Sequence, residues 1–165
     1  MQESETRMSS FEFTPFQRLT TLKDCKPGQL VYSLTNDLKG PALVVERGVE
    51  ERGIILLSRD GPKYRQCDPS SRVLAYAAEK YRVETFGEVE YSIGKPEGIG
   101  HLLLRDDHWH LLLHIEQDIR AYDFSSGKIT EVPRGEGVIR CTGWRLLRSL
   151  PDAKLESVVE FVSNN

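Results

Sequence analysis

The chain has 165 residues, 39% of them hydrophobic and 28% charged, with a formal net charge of −3. That is enough apolar material for a core and too little net charge for a chain disordered throughout. No apolar run approaches the roughly 20 residues that span a bilayer, and a pI near 5.8 lacks the overall basic signature of a nucleic-acid binder.

Residues 1–10 are polar and read as a flexible tail, without the apolar stretch of a secretory signal. Cys25, Cys67 and Cys141 are odd in number, far apart and free of any CxxC pair, which points to reduced thiols in a cytosolic setting. Residues 11–165 then read as a single β-rich domain. Thr14-Pro15-Phe16-Gln17 offers an N-cap and a first-turn proline, and Phe16, Leu19 and Leu22 follow at helical spacing. A short helix over 15–22 is predicted, ended by Lys26-Pro27-Gly28.

From there the pattern turns to strands. Leu30–Leu34, Ala42–Glu46, Ile54–Ser58, Val73–Ala78 and Tyr81–Phe86 are short apolar runs separated by Gly, Pro, Asn and Asp clusters. Val89–Ile93, His101–Arg105, Trp109–Ile115, Ile119–Phe124, Lys128–Val132 and Val138–Leu147 repeat the rhythm. Spacing of this kind predicts a mostly β protein, an antiparallel barrel or sandwich of about ten strands. Leu155, Val158, Val159 and Val162 fall at i, i+3, i+4 and i+7, so an amphipathic helix is predicted over 150–163. Tyr32-Ser33-Leu34 can be laid over Tyr91-Ser92-Ile93, a hint of two pseudo-equivalent halves, 27–93 and 94–148.

All four histidines lie within HLLLRDDHWHLLLHIE, residues 101–116. Two strands flanking Asp106-Asp107 would set Arg105 opposite His108, Leu103 opposite His110, His101 opposite Leu112 and Ile99 opposite His114. Leu102, Leu104, Trp109, Leu111, Leu113 and Ile115 then share a core face, and His101, His108, His110 and His114 share the other with Leu103 and Leu112. Diagonal neighbours on such a face lie roughly 7–8 Å apart, within reach of imidazole arms. His101, His110 and His114 could therefore converge on a divalent transition metal, with His108 as spare ligand or acid/base and Glu116 orienting a ring. The alternatives are a solvated or structural polar face, and a contact that responds to pH. The His108-x-His110 pair is similar to the first metal motif of cupins in those two residues. It lacks the glycine ahead of the pair, and no Pro-x-Gly motif with a distal histidine follows.

Other chemistry finds no motif. The chain contains no G-x-S-x-G elbow, no phosphate-binding G-x-x-x-x-G-K-[ST] loop and no H-E-x-x-H helix. Gly94–Gly100 reads as a connection into the histidine hairpin or a lid over it. A nucleophilic Cys141 would have only Arg140 near it in sequence to lower its pKa, and a free cysteine is usually a small buried hydrophobe. Between residues 59 and 82, Arg59, Lys63, Arg65, Arg72, Lys80 and Arg82 outnumber Asp60, Asp68 and Glu79, with Tyr64, Tyr76 and Tyr81 interleaved. This is the composition of a weak single-strand-binding face, or of a charged outer surface. Trp109 and Trp144 are expected to anchor the core, and a partly exposed one would mark an interface. The reading favoured is a non-catalytic binding or accessory domain for a protein or small ligand, able to self-associate through sheet edges. A histidine-ligated metalloprotein is the alternative.

Overall fold

The computed structural model describes residues 17–35, 37–49, 51–76, 81–91, 98–149 and 153–163. Thirteen strands dominate it: β1 Gln17–Thr21, β2 Leu30–Ser33, β3 Gly40–Glu46, β4 Arg52–Leu56, β5 Lys63–Cys67, β6 Arg72–Tyr76, β7 Tyr81–Tyr91, β8 Leu102–Arg105, β9 His108–Ile115, β10 Asp118–Asp123, β11 Lys128–Thr130, β12 Ile139–Ser149 and β13 Leu155–Val162. They hydrogen-bond into one mixed sheet that does not close on itself, so the mostly β expectation holds and the closed barrel does not. The sole helical element among the described residues is a 3-10 turn at Leu22–Asp24.

The first six strands and the second six follow one pairing scheme. β2 to β5 form an antiparallel meander, β6 returns to pair with β2, and β1 lies on β6. In the second half β8 to β11 form the meander, β12 returns to β8, and β7 lies on β12. Register agrees as well as order. The chain Leu30–Leu43–Ile55–Tyr64 across β2 to β5 matches Leu102–Leu111–Tyr122–Ile129 across β8 to β11.

The entries to the two meanders match bond for bond. Gly28 N–H donates to Val44 O at 2.8 Å, Val44 N–H to Gln29 O at 2.9 Å, and Gln29 N–H to Lys26 O at 3.1 Å. In the second half Gly100 donates to Leu112 at 2.8 Å, Leu112 to His101 at 3.0 Å, and His101 to Gly98 at 3.1 Å. Each is a turn running into a bulge that opposes two residues to one, and each needs φ > 0 at its first position: Gly28 has φ +83° and Gly100 φ +87°. This match sets Leu30 on Leu102, not Tyr32 on Tyr91; Ser92 and Ile93 of the earlier overlay lie outside the described residues.

Three apolar clusters follow from the two-sided strands. The largest lies between the halves and joins Leu30, Leu43, Ile55 and Tyr76 of the first to Leu102, Leu111, Tyr122 and Trp144 of the second. Behind it the first half closes its own inner face with Leu22, Val31, Val44, Ile54, Leu56 and Val73, among others. The second half has a smaller inner cluster of Leu103, Leu112, Ala121 and Val138, with Val132 packed on it. A parallel pairing of Glu46 with Lys128 links β3 to β11, and Arg47 pairs with Glu116 at 3.4 Å across the same seam.

Both expected α-helices give way to strands. Gln17–Thr21 pairs along β6, leaving Leu19 57% exposed, and the 3-10 turn that follows buries Leu22; residues 15 and 16 lie outside the described residues. At the other end β13 pairs with β12, and its register shifts between Leu146 and Leu147, so that Val158 is the extra residue. A one-residue bulge in a period-two pattern spaces apolar positions as a helix would. Val159 and Phe161 enter the core, whereas Leu155 and Val162 are exposed. Residues 150–152 lie outside the described residues.

Two smaller differences have similar causes. The predicted strands Tyr81–Phe86 and Val89–Ile93 fall, as far as Tyr91, on one strand, β7, carried through Gly87 at φ +80° by a bulge against β12; residues 92 and 93 lie outside the described residues. β5 lacks an apolar run, since Lys63, Arg65 and Gln66 face out and only Tyr64 and Cys67 pack inward, each on a different cluster.

Candidate binding cleft

The histidine hairpin forms in the expected register: Arg105 faces His108, Leu103 faces His110, and Leu102 faces Leu111. Asp106 and Asp107 form its two-residue turn at φ +50° and +63°, the left-handed pair that matches strand twist. Leu102, Leu111, Leu113 and Ile115 reach the main core with Trp109 against it. Leu103 and Leu112 are buried on the opposite face, under Val132 and Val138 of the same chain.

On that second face the histidines are spread out. His101 sits in the bulge, buried, with its ring against Gly98; Gly100 and His101 together oppose Leu112, and Ile99 belongs to the turn instead of facing His114. His114 is exposed opposite Ile119 at the far end of β9. Glu116 occupies the β9–β10 turn at φ +59° and pairs with Arg47. His108 and His110 lie near the hairpin turn: His108 Nδ1 is 2.9 Å from Ser125 Oγ, and His110 Nδ1 is 3.1 Å from the His108 carbonyl. Asp123 faces His110 across the strand pair and accepts from Ser125 N–H, Ser125 Oγ and Ser126 Oγ. Partial burial pushes the Asp123 carboxyl up, but the bonds from Ser125 and Ser126 and the neighbouring His110 outweigh it and hold it below its usual value. Among the described residues no three His, Cys, Asp or Glu side chains are grouped so as to hold a metal ion.

The cysteines are free thiols. Burial pushes the Cys141 and Cys25 thiols up, away from the thiolate a nucleophile needs. The tyrosines of the basic stretch do not share an outer face. Tyr64 packs on the core, Tyr76 is buried with the Arg148 guanidinium 4.6 Å above its ring, and Tyr81 turns toward the loop at Gly28.

Tyr76 and Tyr81 belong instead to a cleft of about 700 Å³ where the two halves meet. Its first wall comes from Arg18 on β1, Asp24, and the loop Lys26–Gln29 that enters β2. The opposite wall is the tip of the histidine hairpin, Asp107, His108 and Trp109, with Phe124 and Ser125 of the β10–β11 turn. Tyr76, Tyr81 and Val83 complete it. The aromatic rings are partly or wholly buried, whereas Arg18, Asp24, Lys26, Asp107 and His108 are exposed at the rim. The cleft is thus apolar within and ionic at its edge.

A tight seam fixes the walls. A Cβ on Gly127 (φ +68°) would stand 2.3 Å from the Gly28 nitrogen and 2.4 Å from the Pro27 carbonyl carbon, so the two loops meet backbone to backbone. Tyr81 Oη donates to the Gly28 carbonyl at 2.6 Å, and the Tyr122 hydroxyl is buried beside them. Burial pushes the phenols of Tyr76, Tyr81 and Tyr122 up, so all three stay neutral across the physiological range.

Of the residues predicted for a site, His108 alone lines this cleft. Trp109 meets the condition set for an interface tryptophan: unlike Trp144, which is 2% exposed, it is only half-buried. Arg18, Lys26, Tyr81 and Phe124 come from separate segments, and no local pattern joins them. Compared with protein-family models, curated proteins and solved structures, the chain matches none.

Proposed function

We propose that the protein is a non-catalytic binding module that holds its ligand, a small organic molecule or a segment of a protein, in the cleft between the halves. One observation carries this reading. Tyr76, Tyr81, Trp109 and Phe124, drawn from both halves, line one concavity of about 700 Å³ with an ionic rim. Ligand pockets are typically ~300–1,000 Å³, mostly apolar, with a few polar groups for orientation. The neutral phenols and the indole supply flat contact area at low entropic cost, and cations at the rim add charge recognition. The free thiols suit a reducing, cytosolic setting.

A thermal-shift screen of small aromatic and charged molecules and short peptides tests this. Hits are expected to lose at least about tenfold in affinity in Trp109→Ala, since a buried aromatic anchor commonly carries that much. They are expected to keep it in Ile119→Ala, an exposed position outside the cleft. Hits indifferent to Trp109 would place binding elsewhere.

A further inference from the structure

His108 and His110 are both bonded through Nδ1, and in each case the partner settles which ring nitrogen carries the proton. Asp123 accepts from Ser125 N–H at 2.9 Å, from Ser125 Oγ at 2.6 Å and from Ser126 Oγ at 2.9 Å. A carboxyl held low by such donors is ionised and has no proton to give. The single hydroxyl hydrogen of Ser125 is therefore committed to Asp123. Ser125 Oγ is left to accept from His108 Nδ1, 2.9 Å away. His110 Nδ1 is bonded to the His108 carbonyl, which also only accepts. Both neutral rings thus carry the proton on Nδ1 and keep a bare Nε2.

The surroundings of the two rings differ. His110 lies outside the cleft, opposite Asp123. His108 stands at the cleft's rim beside Trp109, Phe124 and Ser125, and its Nε2 has no partner among the described residues. The rim's carboxylates and cations balance, Asp24 and Asp107 against Arg18 and Lys26. What the cleft offers is aromatic surface and a fixed acceptor, with no net charge to be matched.

Resting on the cleft being the binding site, we infer that His108 determines its specificity by accepting a hydrogen bond at Nε2. The ligand is a small, neutral aromatic molecule with a hydroxyl or N–H donor, a phenol or an indole in type. Ser125 and Asp123 are positioning residues that fix the tautomer of the ring. Tyr76, Tyr81, Trp109 and Phe124 take the ligand's ring, and a cleft of about 700 Å³ has the size of a small-molecule pocket. A ligand without the donor leaves Nε2 to water.

Ring-nitrogen NMR of the full chain at about pH 8.5, where an ordinary imidazole is neutral, reads the tautomers directly. His108 and His110 are both expected as Nδ1–H. Ser125→Ala is expected to move His108 toward the Nε2–H form that imidazole prefers in water and to leave His110 unchanged, a selectivity that general loss of structure would not give. Nε2–H at His108 in the parent chain would overturn the proposal. The ligand class is tested with p-cresol and toluene, which differ by one hydroxyl, through shifts of the Trp109 indole signal. The phenol is expected to bind about threefold to tenfold tighter, the net contribution of one hydrogen bond, and to lose that advantage in His108→Phe and in Ser125→Ala. Equal binding of the two to the parent chain would overturn the donor proposal and leave the cleft reading intact. So would an advantage that survives His108→Phe, which would put the acceptor on Asp24 or Asp107. A tyrosine-centred tripeptide that binds about tenfold tighter than p-cresol would overturn the small-molecule assignment in favour of a protein segment. Absence of any Trp109 shift with p-cresol, toluene or tripeptide would count against the cleft reading and the proposal together.

Discussion

The inner faces of the two halves share a backbone and differ in chemistry. Where the first half places Val31, Ala42, Val44, Ile54 and Leu56, the matching positions of the second are Leu103, His110, Leu112, Ala121 and Asp123. The first face closes on aliphatic side chains and is a core in its own right. The second keeps a four-residue cluster, covers it with Val132, and gives the remaining positions to His110 and Asp123. One pairing scheme therefore tolerates either an apolar inner face or a polar one. The histidine run follows from which half is polar, and the cleft arises where the polar half's hairpin tip meets the first half's entry loop.

The largest expected effects come from the glycines that the halves use differently. Gly127→Ala combines a left-handed φ with a clash against backbone that cannot yield, so a loss of about 3 kcal/mol or more is expected in chemical denaturation. Gly100→Ala should cost about 2–3 kcal/mol, because its new methyl meets the Phe161 ring. Gly28→Ala has the same turn geometry, but its nearest neighbour would be 3.6 Å away, and only the φ penalty of about 1 kcal/mol applies. Equal losses at Gly28 and Gly100 would break the contrast between an entry turn with room for a methyl and one overlaid by the Phe161 ring.

A smaller effect sharpens the contrast between the inner faces. The Asp123 carboxyl is held below its unfolded value, so its stabilisation is fully present above the usual carboxylate pKa and is lost as pH falls through the folded one. Asp123→Asn should lower stability near neutrality, by under about 1 kcal/mol given solvent screening, and match the parent chain in strong acid. Stability curves from pH 7 down to about 2 would show the two converge. Glu116→Ala is expected to be near silent, within about 0.5 kcal/mol, since its pairing with Arg47 is an exposed ion pair.

The hairpin from Leu102 to Ile115 was legible because its alternation is unbroken and its turn is two residues long. What surrounds it was not. A bulge adds one residue and shifts every pairing beyond it, so Gly100 took Ile99 away from its expected place opposite His114, and Val158 made a strand mimic a helix. The cleft was illegible for a different reason. Arg18, Gly28, Tyr81, Trp109 and Phe124 are brought together by the match between halves, which is carried by register with few shared residues.

Binding in the cleft at the junction of the halves, as proposed, can be read from the two tryptophans. The chain has two tryptophans, one in the cleft and one in the core, so 5-fluorotryptophan labelling yields two resonances with distinct meanings. On adding a hit from the screen, the Trp109 signal is expected to move in a saturable way while that of Trp144 stays fixed. Saturable binding that leaves Trp109 unmoved would contradict the account.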